Sequence, residues 1–144
     1  MARRTMDDQE PQAAADTLPS SGDGGLTIYY DGACPLCEAE MAMYSRQDRA
    51  GVLRLIDVAA SATVLPADLS RQAALARFHV RRPDGTLESG AAAFALLWRS
   101  LPAWRSVGRL AQRPSAHWVL EAAYRLFLPI RPTLSWLVRR LSRR

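Results

Sequence analysis

The twelve residues from Leu26 to Cys37, LTIYYDGACPLC, constrain this chain more than any other stretch. Leu26, Ile28 and Tyr30 alternate with Thr27 and Tyr29, and the β-branched and aromatic content predicts a strand buried on both faces. Asp31-Gly32 supplies the turn that ends it. Pro35 suits the first turn of a helix, which leaves Cys34 at or near the N-cap. From there Cys37, Met41 and Tyr44 recur at helical spacing and form an apolar stripe that would face a sheet. Gly51 is expected to close the helix.

The elements that follow repeat the alternation of strand and helix. VLRLIDV reads as a second strand of the same apolar kind. Pro66 is expected to open a short, weakly amphipathic helix over LPADLSRQAAL. ARFHVRR and TLES flank the Pro83-Asp84-Gly85 turn and read as a hairpin. Ser89 is the expected N-cap of a strongly apolar helix, GAAAFALLWRSL. The order is then β-α-β-α-β-β-α. A helix between the first two strands favours a parallel pair, and the hairpin is antiparallel. This is the thioredoxin-like arrangement of an α/β fold, with additional helices expected over AWRSVGRLAQ, SAHWVLEAAYRLFL and TLSWLVRRLSRR. The predicted organisation is a disordered tail over residues 1–25, a core over 26–100 and a basic helical extension over 101–144.

Charge sets that extension apart. All 19 basic residues of the 144 are arginine. Residues 99–144 hold ten of them against Glu121 alone, whereas residues 26–98 hold seven against eight acids. A basic tail on a near-neutral core implies contact with an acidic surface. No stretch reaches the roughly 18 uninterrupted apolar residues that a membrane span needs. Arg3 and Arg4 are not followed by the apolar run of a secretory signal, so a reducing cytoplasm is the expected compartment. There a lone cysteine pair is seldom a structural staple.

Cys34 and Cys37 are the only cysteines. Three readings compete: a redox dithiol, half of a metal site, and two small apolar residues in a core. Zinc needs four ligands, and neither His79 nor His117 has ligand spacing to the pair, so no metal is expected within one chain. His79 lies in a predicted strand and reads as a core or edge residue. The dithiol reading fits best, because the thiolate is the reactive species in disulfide exchange and a helix N-terminus stabilises it. Cys34 is the expected nucleophile and the more exposed of the two, with Cys37 behind it as the resolving thiol. Asp31 is expected either to cap its own turn or to accept the Cys37 proton, and Asp57 on the second strand is a rival acid. No cofactor is needed, since electrons pass between thiols.

YYDGACPLC resembles the signature of the DCC family (the DUF393 group), small bacterial proteins described as thiol-disulfide oxidoreductases. The resemblance extends through LRLIDV and FHVRRPDGTLESGAAAFALLW into WRSVGRLAQRP, covering about residues 26 to 128. It implies a thioredoxin-like fold, with Cys34 and Cys37 as the redox pair and Asp31-Gly32 in the signature. Thioredoxin proper differs in two places. It has a cis-proline before its third core strand, where this chain has AALAR, and a buried acid at the position of Ile28. Substrate binding and proton handling are therefore not carried over from thioredoxin.

The expected partner is a thiol or disulfide client of unassigned identity. Residues 133–144, with Trp136 among arginines, are expected to make peripheral contact with an anionic (inner) membrane. For residues 99–128 the expectation is that Trp98 and Trp118 pack on the domain while the arginines form a solvated face. Nucleic acid is not expected, because no recognition motif accompanies the charge. The competing class is a non-enzymatic redox-sensing or metal-binding adaptor docked through the arginine-rich C-terminus.

Overall fold

The computed structural model describes residues 25–142. The expected disordered tail therefore lies, but for Gly25, outside the described residues, as do the last two arginines of the extension. Strand β1 (Leu26–Tyr30) leads into helix α1 (Pro35–Gln47), β2 (Leu53–Asp57), α2 (Arg71–Ala76), β3 (His79–Arg81), β4 (Leu87–Ser89) and α3 (Ala91–Ser100). The strands form one sheet in the order β2-β1-β3-β4. β1 runs parallel to β2, with Ile28 opposite Leu55, and antiparallel to β3, with Ile28 opposite Val80. β3 and β4 pair antiparallel, with Val80 opposite Glu88. This mixed α/β sheet is consistent with a thioredoxin-like fold, and its element order is the one expected from the sequence.

Both faces of β1 are covered. On one, Leu26, Ile28 and Val80 pack with Met41 and Tyr44 of α1 and Ala93, Leu97 and Leu101 in and after α3. On the other, Tyr29 joins Val58, Leu69 and Ala74, the last from α2. Ile28 is fully enclosed, and burying such a side chain contributes about 1.5–3 kcal/mol. The apolar strand and the Met41–Tyr44 stripe are thus two halves of one core.

Three boundaries differ from expectation. Asp48 caps the end of α1, and Gly51 lies beyond it in a left-handed turn at φ 66°. Pro66 stays in the loop. α2 starts at Arg71, because the Ser70 hydroxyl accepts the Ala73 N–H at 3.1 Å and supplies the cap. α3 is preceded by Gly90, not by a Ser89 cap. Gly90 has φ 60°, and a Cβ there would collide with the Arg77 guanidinium, so the position needs glycine.

After a 3-10 turn at Pro102–Trp104 come α4 (Arg105–Ala111), α5 (Pro114–Phe127) and α6 (Arg131–Ser142). Trp98 packs as expected: its Nε1–H donates to Tyr44 Oη at 2.8 Å, and Trp104 Nε1–H donates to Gln47 Oε1 at 2.6 Å. Trp118 does not. It is 74% exposed on the outer side of α5, because α5 reaches the body through Tyr124, which accepts the Phe78 N–H at 2.8 Å, and through Glu121. No helix among the described residues is long and apolar enough to cross a membrane.

Candidate active site

The junction between β1 and α1 folds as a sequence of small constraints. The Asp31 Oδ1 accepts the Ala33 N–H at 3.1 Å, closing the turn on itself. From the neighbouring strand, Asp57 Oδ1 accepts the N–H of Gly32 at 2.9 Å and that of Ala59 at 2.8 Å. A side chain at position 32 would overlap the Asp57 carboxylate, so Gly32 is demanded by close approach. Asp57 therefore serves as a clamp at the end of β2. Asp31 takes the turn role anticipated for it.

Cys34 is the N-cap of α1 in extended conformation, and Pro35 occupies the first helical turn. The Cys34 Sγ accepts from the Cys37 backbone N–H at 3.4 Å and from the Cys37 thiol at 2.9 Å. Both cysteines are free thiols. Closing a disulfide needs the sulfurs about 2.05 Å apart, less than 1 Å closer than they stand.

One expectation about this pair fails. Cys34 is only 5% exposed, and Cys37, half-buried, is the more accessible. The cause is α6, which crosses the junction. Ser135 places its Oγ 3.1 Å from the Cys34 Sγ. Arg131, one turn earlier, donates from Nη2 to Asp31 Oδ2 at 3.2 Å and to the Leu75 carbonyl at 3.0 Å. Arg139, one turn later, donates to the Ala33 carbonyl at 3.1 Å. The inward stripe of α6 is thus polar. Leu134, Trp136, Leu137 and Leu141 point outward and are exposed.

These contacts part the acidities of the two thiols. Burial alone would push Cys34 up, but it is outweighed by the hydrogen bonds from the Cys37 thiol, the Ser135 hydroxyl and the Cys37 N–H, aided by the Arg131 charge. The net position lies below that of an ordinary cysteine. Cys37 is pushed up to about 12 by burial first, then by its bond to Cys34 and by the charges of Cys34 and Asp31. Cys34 is thus the more acidic of the two thiols. A small pocket of about 40 Å³ lies beside Cys37, and Tyr30, Asp31, Glu40, Tyr124 and Arg131 are among its lining. Among the described residues, no three side chains of His, Cys, Asp or Glu converge as a metal site would require.

The model of the DCC1-like thiol-disulfide oxidoreductases matches residues 28–137. The chain belongs to that family. The match begins inside β1 and ends within α6, so the DCC1-like region includes both cysteines and the first part of the helix that covers them, through Leu137. An uncharacterized chloroplastic protein of Arabidopsis thaliana is similar, with 26% identity over 128 residues. That alignment takes in 81% of this chain and 58% of the plant protein, so the chain spans less than two thirds of that relative. No solved structure matches.

Of the residues singled out in the sequence, Asp31, Cys34 and Cys37 come together, and Asp57 at the end of β2 clamps the Gly32 turn beside them. His79 is buried in β3, its Nδ1 2.8 Å from the Arg77 carbonyl oxygen, outside the thiol site. Ser135, Arg131 and Arg139 escaped sequence reasoning. They lie about a hundred residues from the junction, and no local pattern announces the pairing. The one hint is a serine standing between Leu134 and Trp136.

Proposed function

We propose that the chain exchanges disulfides through Cys34 and Cys37. The Cys34 thiolate attacks a sulfur of a client disulfide, forming a mixed disulfide and releasing one client thiolate. Cys37 then loses its proton, attacks the Cys34 sulfur and releases the second client thiol. Two electrons leave the dithiol and reduce one client disulfide; run backwards, the same steps oxidise a client dithiol. We assign the Cys37 proton to Asp31, whose charge that thiol feels. The observation that carries this reading is the set of polar contacts on the Cys34 sulfur, with the Cys37 Sγ 2.9 Å away.

In the resting arrangement α6 shields the nucleophile, so a protein client is met only after Arg131, Ser135 and Arg139 let go. Trapping tests the reading. A Cys37→Ser variant should accumulate mixed disulfides with client proteins, and Cys34→Ser should accumulate none. If neither variant traps a client, the reading falls.

A second reading draws on the outward face of α6: this helix docks the protein on an anionic membrane surface. Trp136 is exposed there with the Arg140 guanidinium 5.2 Å above its ring, beside Leu137 and Leu141. An aromatic anchor, apolar neighbours and arginines suit the interface of acidic lipids. Co-sedimentation with phosphatidylserine-containing vesicles, compared between wild type and Trp136→Ala/Leu137→Ala, decides it. Equal recovery of both, or of neither, sinks the idea.

A further inference from the structure

The polar partners of the Cys34 sulfur come from two origins. The Cys37 thiol and N–H belong to the cysteine motif itself, whereas the Ser135 hydroxyl is delivered by α6 from 101 residues away. Ser135 is 4% exposed and is the one fully buried residue of α6 among those described. Its neighbours Leu134 and Trp136 are apolar and face outward, while this small hydroxyl faces in. A buried hydroxyl without a partner is costly. Here the partner is the reacting sulfur.

We propose that Ser135 is a catalytic residue of the dithiol site: its hydroxyl donates to the Cys34 thiolate and so sets the acidity of Cys34 and the reduction potential of the pair. The inference rests on the disulfide-exchange reading. Its physics is the difference in acceptor strength among three sulfur states. A thiolate accepts a hydrogen bond strongly, a thiol weakly, and a disulfide sulfur carries no charge to attract the donor. Ser135 therefore favours thiolate over thiol and dithiol over disulfide.

The redox step balances with a disulfide as oxidant. The Cys34 thiolate and Cys37 thiol become the Cys34–Cys37 disulfide, and the client disulfide becomes one thiolate and one thiol. The Ser135 bond is present on the reduced side and lost on the oxidised side. Its removal makes the protein dithiol a better reductant. Arg131 acts on the same sulfur through its charge and also holds Asp31, so it is a less clean probe.

The test compares three variants by ultraviolet titration of the Cys34 thiolate and by glutathione equilibration of the pair. Ser135→Ala should lower the thiolate-to-thiol ratio about tenfold, a rise of about one pKa unit, as for loss of a hydrogen bond to a charged group. The glutathione midpoint should move about 30 mV in the reducing direction if the equilibrium shifts by the same factor. Alanine raises helix propensity, so α6 persists in this variant. Ser135→Thr, which keeps the hydroxyl, should return both values towards wild type. Arg139→Ala, which loosens α6 without touching the sulfur, should leave both nearly unchanged. The proposal is overturned if Ser135→Ala titrates with wild type, or if Arg139→Ala reproduces the full shift. Client trapping reports separately. Shifted titration without trapped clients would uphold Ser135 and reject disulfide exchange, and trapping without a shift would do the reverse.

Discussion

Arg131 reaches Asp31 at 3.2 Å, joining the last helix to the turn before Cys34 across 100 residues of chain. Both side chains are largely buried. The pair ties the geometry of the thiol junction to the position of α6, and several measurable consequences come from that tie.

The first concerns access. Each polar tether of α6 contributes about 0.5–1.5 kcal/mol net, so removing one should raise the open population about 2- to 10-fold. Arg139→Ala, which deletes the bond to the Ala33 carbonyl, should speed alkylation of Cys34 by that factor. Mass-resolved iodoacetamide labelling at fixed pH is the measurement. An unchanged rate would mean that α6 does not govern access.

Asp31 and Arg131 should be energetically coupled. A double-mutant cycle with Asp31→Asn and Arg131→Gln, followed by urea unfolding, should give about 1 kcal/mol of interaction energy, at the upper end for ion pairs that are not fully solvated. Additive losses would show that the contact adds no stability.

Gly32→Ala should destabilise the fold by about 2–3 kcal/mol. The added methyl displaces the Asp57 carboxylate and leaves two partly buried N–H groups without their acceptor. Combining it with Asp57→Ala should cost less than the sum of the two, because both changes break the same clamp. Full additivity would contradict the clamp.

Stability should depend on alkaline pH through Cys37. Its native pKa lies near 12, above the ordinary value of 9.0, so the native state holds a proton that the unfolded chain releases. The contribution is fully present below pH 9 and is lost as pH rises through about 12. Cys34, depressed in the native state, acts oppositely, adding stability present above pH 9 and lost as pH falls through its native pKa. Denaturant midpoints from pH 8 to 11 should therefore fall less steeply in Cys37→Ser than in wild type. Identical slopes would remove Cys37 from the account.

The junction was legible in the sequence because its signals are local. Pro35 marks the helix start, Cys34 takes the cap and the strand before it alternates, so three neighbouring residue types agree on one geometry. Pro114 takes the same first-turn position at the start of α5. The misplaced boundaries have local causes of another kind. Pro66 suits a helix start but stands five residues before one, since Ser70 makes the capping bond. At Ser89 the left-handed conformation of the next residue decides. The shielding of Cys34 was not legible at all. It depends on Ser135 meeting a sulfur 101 residues away, a tertiary event that neither periodicity nor capping encodes. Trp118 failed for the converse reason: its helix has an apolar stripe, but Tyr124 and Glu121 choose which side lies down.

Helix α6 wears its polar stripe inside and its apolar stripe outside, so it is in effect a messenger between the sulfur and the surroundings. Thermodynamic reciprocity then applies. Any partner that grips Leu137 and Leu141 better once the helix has lifted will expose Cys34 by the same factor by which exposure of Cys34 strengthens the grip. Under the proposed donation by Ser135, oxidation loosens the helix from within. On that proposal the redox state of the two sulfurs is written on the outer surface of the protein, where another molecule can read it without touching either one.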